Sequence, residues 1–126
     1  MIKYNSIIFD CDGVILNSNA IKTEAFRNIL NNYDLNAVDE FIDYHRKNGG
    51  ISRYAKLEHF LKNIFPKYSK GFNLNKDHLK SLLKNYSMVC RLSLCNAQVT
   101  EGLSELREIS GDINWLIVSG GDQKEL

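Results

Sequence analysis

Two aspartates, Asp10 and Asp12, stand one residue apart directly after the apolar run Ser6-Ile7-Ile8-Phe9. In an extended chain alternate side chains share a face, so the two carboxylates point the same way and Cys11 points oppositely. Two hard oxygen groups converging at a strand end can hold Mg2+, particularly with a backbone carbonyl beside them. A metal and nearby amides would offset the repulsion that otherwise raises one carboxylate pKa. Gly13 lets the chain turn sharply after the pair. Taken alone, Asp-x-Asp-Gly is equally a polar turn following a strand. A second candidate is Ser119-Gly120-Gly121, which follows Ile113-Asn114-Trp115-Leu116-Ile117-Val118. The Ser119 hydroxyl and the Gly120 amide can donate hydrogen bonds to an anionic oxygen, although out of context Ser-Gly-Gly is simply a loop.

The elements that must position these groups follow from periodicity. Both apolar runs are short and continuous, the pattern of strands buried on both faces of a parallel sheet. Between them the period becomes helical. Ile21, Ala25, Ile29 and Tyr33 form one stripe, and Val38, Phe41, Ile42 and His45 a second, with Asn36 as the expected N-cap. Tyr54, Leu57, Leu61 and Ile64 form a third stripe, which Pro66 stops. Leu79, Leu82, Leu83, Tyr86 and Val89 form a fourth after Asn75, and a short helix from about Thr100 to Ser110 leads into the second strand. The fold class is therefore α/β: parallel strands in a partial core made of residues 1–16 and 98–126, with an inserted helical unit over 17–97. A helical crossover between parallel strands brings Asp10 and Ser119 to one crevice at the strands' carboxyl ends. Asp122 is expected to cap a following helix rather than bind metal.

The remaining composition narrows the classes. Of 126 residues 44% are hydrophobic and 25% charged, ordinary for a globular chain, and the net charge of +1 leaves no basic field for nucleic acid or an anionic membrane. The longest apolar stretches are far too short to span a bilayer, and Met1 to Asn5 lack the apolar core of a signal peptide, so a cytoplasmic protein is expected. Cys11, Cys90 and Cys95 do not form a disulfide framework; Cys90-x4-Cys95 has no second pair to complete a zinc site, so these cysteines are expected to act as small hydrophobes.

Phe9-Asp10-Cys11-Asp12-Gly13-Val14-Ile15-Leu16-Asn17-Ser18 resembles the first motif of the haloacid dehalogenase superfamily, and Ile117 to Asp122 resembles the second. The resemblance implies a HAD-like Rossmannoid core with an α-helical cap and a Mg2+-dependent phosphatase of small phosphorylated metabolites. Asp10 would be the nucleophile forming an aspartyl-phosphate, and Asp12 the general acid and then base. Mg2+ would sit on the Asp10 carboxylate and the Asp12 backbone carbonyl, and Ser119 and Gly120 would hold the phosphoryl group. Dehalogenases and phosphonoacetaldehyde hydrolases of the superfamily lack the second acid, so Asp12 favours phosphate esters. Asn17 departs from the Asp many relatives carry there. Gly49-Gly50-Ile51-Ser52-Arg53 resembles the cap loop of the phosphoglycolate phosphatase and β-phosphoglucomutase branch, which implies that Arg53 contacts a distal anionic group of the substrate; a solvated Arg at a helix start is the alternative. Lys22 falls near the hinge, where mutases of the branch place a His, and this favours hydrolysis. His45, His59 and His78 are expected to be structural or surface residues.

The superfamily's later motifs, a charge-neutralising Lys or Arg and an acidic pair, are not found before Leu126. The expectation is an enzyme fragment, or a chain whose missing half another chain supplies. A non-catalytic helical interaction module and, less favoured, a receiver-like phospho-acceptor domain are the other classes. In a receiver, however, the acceptor aspartate follows a later strand, where this sequence has Ser119.

Overall fold

The structure, a computed structural model, describes residues 4–71 and 75–122. Strand β1 (Ser6–Asp10) lies parallel to β2 (Asn114–Val118), with Ser6 opposite Asn114 and Asp10 opposite Val118. The expected parallel pair is present, and its register carries both strands out of the sheet at the same end. The expectation that both faces are buried is corrected. Ile8, Leu116, Ile117 and Val118 are half or more exposed. Two strands cover only one edge of each other, and the helix that lies beside them among the described residues, α5 (Leu103–Ser110), has no buried residue. That helix meets the sheet through Trp115, whose indole donates to Ser110 Oγ at 3.1 Å and stacks under Arg107 and beside Phe9. The helix expected from about Thr100 starts three residues later, because Gly102 takes a left-handed conformation just before the first turn.

Between the strands run α1 (Asn19–Ile29), α2 (Leu35–Lys47), α3 (Arg53–His59) and α4 (Lys76–Leu94). Their apolar stripes close on one core, in which Phe26, Leu30, Phe41, Leu57, Phe60 and Ile64 are essentially inaccessible. The aromatic rings set its geometry: Phe26 meets Phe41 edge-on at 5.2 Å and Tyr86 at 4.2 Å. Two details differ from the periodicity reading. The N-cap of α2 is Asp34, whose carboxylate accepts from the amides of Asn36 and Ala37, so Asn36 lies inside the first turn. Tyr54 is exposed, and the buried face of α3 passes instead through Lys56 and Leu57. Pro66 has no amide proton to continue an α-helical ladder, and the chain leaves α3 through a π turn (Phe60–Ile64) and a 3-10 turn (Phe65–Lys67). Asn75 caps α4 as expected, accepting from Asp77 N. The helix expected after Asp122 lies outside the described residues.

The two chain crossings between sheet and helices run side by side. Asn17 N donates to Gln98 O at 2.9 Å and Thr100 N to Ile15 O at 2.8 Å, with Leu16 bridged to Val99. Gly13 makes the turn that precedes them at φ +74°, and a Cβ there would stand 2.5 Å from the Asn19 side-chain amide. The positive φ is what calls for glycine here; the end of the Asn19 side chain could shift to make room.

Candidate active site

Asp10 ends β1, and one of its carboxylate oxygens accepts from the amide of Cys11 at 2.7 Å. The other has no hydrogen-bond partner among the described residues. Asp12 stands just beyond, on the turn. Its two oxygens accept from Ser18 Oγ at 2.6 Å and from Lys22 Nζ at 2.5 Å, so the carboxylate is tied to the entry of α1. Partial burial works to raise the Asp12 pKa, but the hydrogen bonds from Lys22 and Ser18, with the charges of Lys22 and Arg53, outweigh it and hold the pKa below the usual carboxylate value. Cys11 points away and is buried; burial first, then the charges of Asp12 and Asp10, push its thiol up, leaving it protonated.

A cavity of about 600 Å³ opens over these aspartates. The sheet side supplies Asp10, Asp12, Gly120 and Gly121, and the helical side supplies Lys22, His45, Arg53 and Lys56. Asp10, Asp12, Gly120, Lys22 and Arg53, all proposed from sequence, are thus brought to one place. Ser119 is next to them in the chain but does not line the cavity; its hydroxyl accepts from Gly121 N at 3.0 Å. Arg53 opens α3 after Ser52, which caps the helix by accepting from Ala55 N. Its guanidinium donates to Ser87 Oγ and lies 5.2 Å over the Tyr86 ring. That arrangement holds it against α4 rather than loose in solvent. Tyr54 donates to Asp122, an acid at the edge of the sheet's second loop.

Sequence reasoning missed Lys56, which lies against His45, one of the histidines expected to be structural or surface residues. Lys56 is 3% exposed, and its ammonium lies 2.9 Å from His45 Nδ1. His45 Nε2 lies 3.1 Å from Thr23 Oγ1, which donates to Asn19 O at 2.9 Å. An ammonium can only donate, so Nδ1 accepts, and Nε2 carries the proton that reaches Thr23. Burial first, then the cations Lys56 and Arg46, lower the His45 pKa to about 4, which keeps the ring neutral as this relay requires. Burial, then the charge of Lys22, lowers that of Lys56. The one signal in the sequence was its position: Lys56 falls on the core stripe of its helix, four residues before Phe60. His59 stacks on Tyr44 at 4.2 Å, away from the cavity, as a structural histidine would. Among the described residues no cluster of three or more His, Cys, Asp or Glu could hold a metal by itself, and no helix is long and apolar enough to cross a membrane.

A family model described as haloacid dehalogenase-like hydrolase matches residues 7–123, nearly the whole chain. The chain belongs to the haloacid dehalogenase-like hydrolases. Solved structures agree in fold. A HAD hydrolase of family IA, variant 3, from Entamoeba histolytica HM-1:IMSS superposes with a TM-score of 0.67 at 13% identity, over 96% of this chain and 51% of that one. The HAD-hydrolase YfnB from Bacillus subtilis, bound to magnesium, gives a TM-score of 0.60 at 16% identity, over 98% of this chain and 55% of that one. At such identities the likeness concerns the fold. The chain spans about half the length of these hydrolases. No curated protein matches the sequence.

Proposed function

We propose that this haloacid dehalogenase-like chain carries the nucleophile half of a Mg2+-dependent phosphatase for small phosphorylated metabolites. The observation that carries the reading is the free oxygen of Asp10 at the end of β1, facing a cavity that Asp12 and the Gly120 loop share. In the first half-reaction Asp10 attacks phosphorus while the ester P–O bond breaks, and Asp12 gives its proton to the departing alkoxide. In the second, Asp12 takes a proton from water, the water oxygen attacks the aspartyl-phosphate, and Asp10 and inorganic phosphate are released. As it stands Asp12 is held ionised by Lys22 and Ser18, the state required for the second half. Protonating it for the first half requires the Lys22 contact to loosen, for which an anionic substrate competing for that ammonium is suited.

The donor set suits magnesium. Mg2+ takes one or two carboxylates and keeps several waters; Asp10 retains an oxygen for it, which by the family resemblance the Asp12 backbone carbonyl would join. When bound, the ion would screen the charge of the phosphoryl group. Further groups, from another segment or another chain, would complete its shell. Residues 17–97 would act as the cap, in the manner of the phosphoglycolate phosphatase branch that the Gly50-Ile51-Ser52-Arg53 stretch resembles.

The test is phosphate release from a panel of small phosphate esters, with and without Mg2+, for the chain and for Asp10→Asn, each with the carboxyl-terminal half of a haloacid dehalogenase-like hydrolase supplied. Release should require Mg2+ and fall by about 10⁴-fold or more in the variant, as expected on loss of a nucleophile. Release indifferent to Asp10→Asn would overturn the mechanism. A folded sample silent under all conditions would favour a helical interaction module.

A further inference from the structure

The cysteines take no part in the chemistry proposed above, yet two of them meet at one place. Cys11, between Asp10 and Asp12, is 6% exposed, whereas Cys95, the C-cap of α4, is exposed and so is not the small buried hydrophobe expected from sequence. Both line a second cavity, of about 220 Å³, together with Asp12, Lys22, Arg91 and Leu94. Cys90 does not reach it and is fully buried in the helical core. The backbone stitches the two segments together. Ile15 N and Leu16 N both donate to Cys11 O at 3.0 Å, Leu16 is bridged to Val99, and Asn17 N donates to Gln98 O at 2.9 Å, just beyond Cys95. Cys95 Sγ donates to Arg91 O at 3.1 Å, a weak bond that rotation about χ1 releases. Neither thiol is in a disulfide. An exposed thiol and a sheltered one on the same cavity have the arrangement of a sensing cysteine and its resolving partner.

We propose that Cys95 and Cys11 form a peroxide-responsive pair, whose disulfide latches the turn carrying Asp10 and Asp12 to the end of α4. The exposed Cys95 sulfur attacks one oxygen of a hydroperoxide; the O–O bond breaks, water or an alcohol leaves, and Cys95 becomes a sulfenic acid. The Cys11 sulfur then attacks the Cys95 sulfur. The S–O bond breaks, and the hydroxyl leaves as water with the Cys11 proton. Two electrons pass from the two thiols to the peroxide, and a thiol reductant reverses the change. The bond closes a loop that contains all of α1 to α4 and pins the two chain crossings beside Asp12 and Lys22. The latch rests on the cavity and the crossings, and is independent of the phosphatase reading.

The 126-residue chain, dilute and folded, would be treated with hydrogen peroxide, its remaining thiols blocked and its disulfides mapped by mass spectrometry. The Cys11–Cys95 pair should exceed any pair containing Cys90 by about 10-fold or more, and dithiothreitol should restore every thiol. The same oxidation in urea supplies the reference. An unfolded chain favours closing the shortest loop, Cys90 to Cys95, so a Cys11–Cys95 preference must come from the fold. Hydrogen exchange then reads the latch itself. The amides of Asn17 and Thr100, which bond across the two crossings, should exchange about 10-fold more slowly or less in the oxidised chain. Cys95→Ser, a change at an exposed position, should lose both the pair and the slowing. The map is made on the native chain, so no variant at the buried Cys11 is needed. Three results overturn the proposal: Cys95 oxidised while Cys11 stays a thiol, Cys95–Cys95 dimers in place of the internal pair, or a Cys11–Cys95 bond that leaves exchange at the crossings unchanged.

Discussion

The helical bundle and the two-stranded sheet draw on similarly apolar sequence and treat it in opposite ways. Ile64, in the π turn after α3, is 1% exposed, whereas Ile8, in the middle of β1, is 64% exposed. The difference is one of cover. Four helices present their stripes to a common centre, and rings from α1, α2, α4 and the π turn interlock there. Among the described residues each strand has one neighbour, and α5 reaches the pair chiefly through Trp115. The two walls of the cavity inherit this contrast. Its floor, with Asp10, Asp12 and Gly120, stands on the sparsely covered sheet, while Lys56 and His45 project from elements locked in a packed core. Side chains on a rigid wall keep their aim whatever the sheet does.

The strongest way to break this comparison is at Phe41. Its side chain is fully buried, with edge contacts to Phe26 and Phe60 at 5.2 and 5.3 Å. Truncation to Ala removes a ring and leaves a cavity between two others, and should cost about 3–5 kcal/mol. Urea unfolding followed by far-UV circular dichroism measures it. A loss below about 1 kcal/mol would mean that the bundle is loosely packed and no more rigid than the sheet.

How far the sequence could be read follows the same division. The strands, the four helical stripes and the convergence of the two strand ends were legible, because each depends on local period or on parallel topology alone, although Gly120 rather than the expected Ser119 faces Asp10 across the cavity. Phe26 and Leu30 escaped because the stripe through Ala25 and Ile29 was drawn one residue too narrow, and both proved fully buried. Strand burial was misjudged for another reason: an apolar run records what a strand can bury, and the cover must come from elsewhere. At the site, the acids were legible from their spacing. Lys56 was not, because a lysine in a core stripe reads as a solvated interruption unless its partner is known, and that partner, His45, lies on a different helix. Lys22 was placed near the hinge, but its grip on Asp12 depends on how the turn at Gly13 faces α1.

The buried relay gives a prediction of intermediate size. His45 has a pKa of about 4 in the folded chain against an ordinary 6.5, and the charges facing it are cations: Lys56 from α3 and Arg46 from its own helix, with Lys22 of α1 close to Lys56. Between pH 6.5 and 4 the unfolded chain binds a proton at this position that the folded chain does not. Stability is therefore complete above about pH 6.5 and falls as the pH drops through that window, by a total on the order of 2–3 kcal/mol. Thermal or urea unfolding across about pH 4–7 should show the slope in the native chain and a shallower one in His45→Gln. Equal slopes would mean that His45 is solvated, and the bundle's claim to hold Lys56 rigidly would weaken with it.

The smallest effect is expected on the sheet, where it sharpens the contrast most. Ile117 pairs with Phe9 in the parallel register, yet its side chain is 58% exposed. Truncation to Ala there removes apolar atoms that already face water, so the cost should stay within about 0.5 kcal/mol, as at other uncovered surface positions. Measured beside Phe41→Ala under the same conditions, the two losses should differ several-fold although both residues are large and apolar. The variant has a second use. Should Ile117→Ala cost about 2 kcal/mol or more, the scale of a buried truncation, the strand must be covered in solution. Repeating the unfolding over a roughly hundred-fold range of protein concentration then separates the causes: a midpoint that rises with concentration means a second copy lies against the sheet, and a constant midpoint means that the chain itself folds over it.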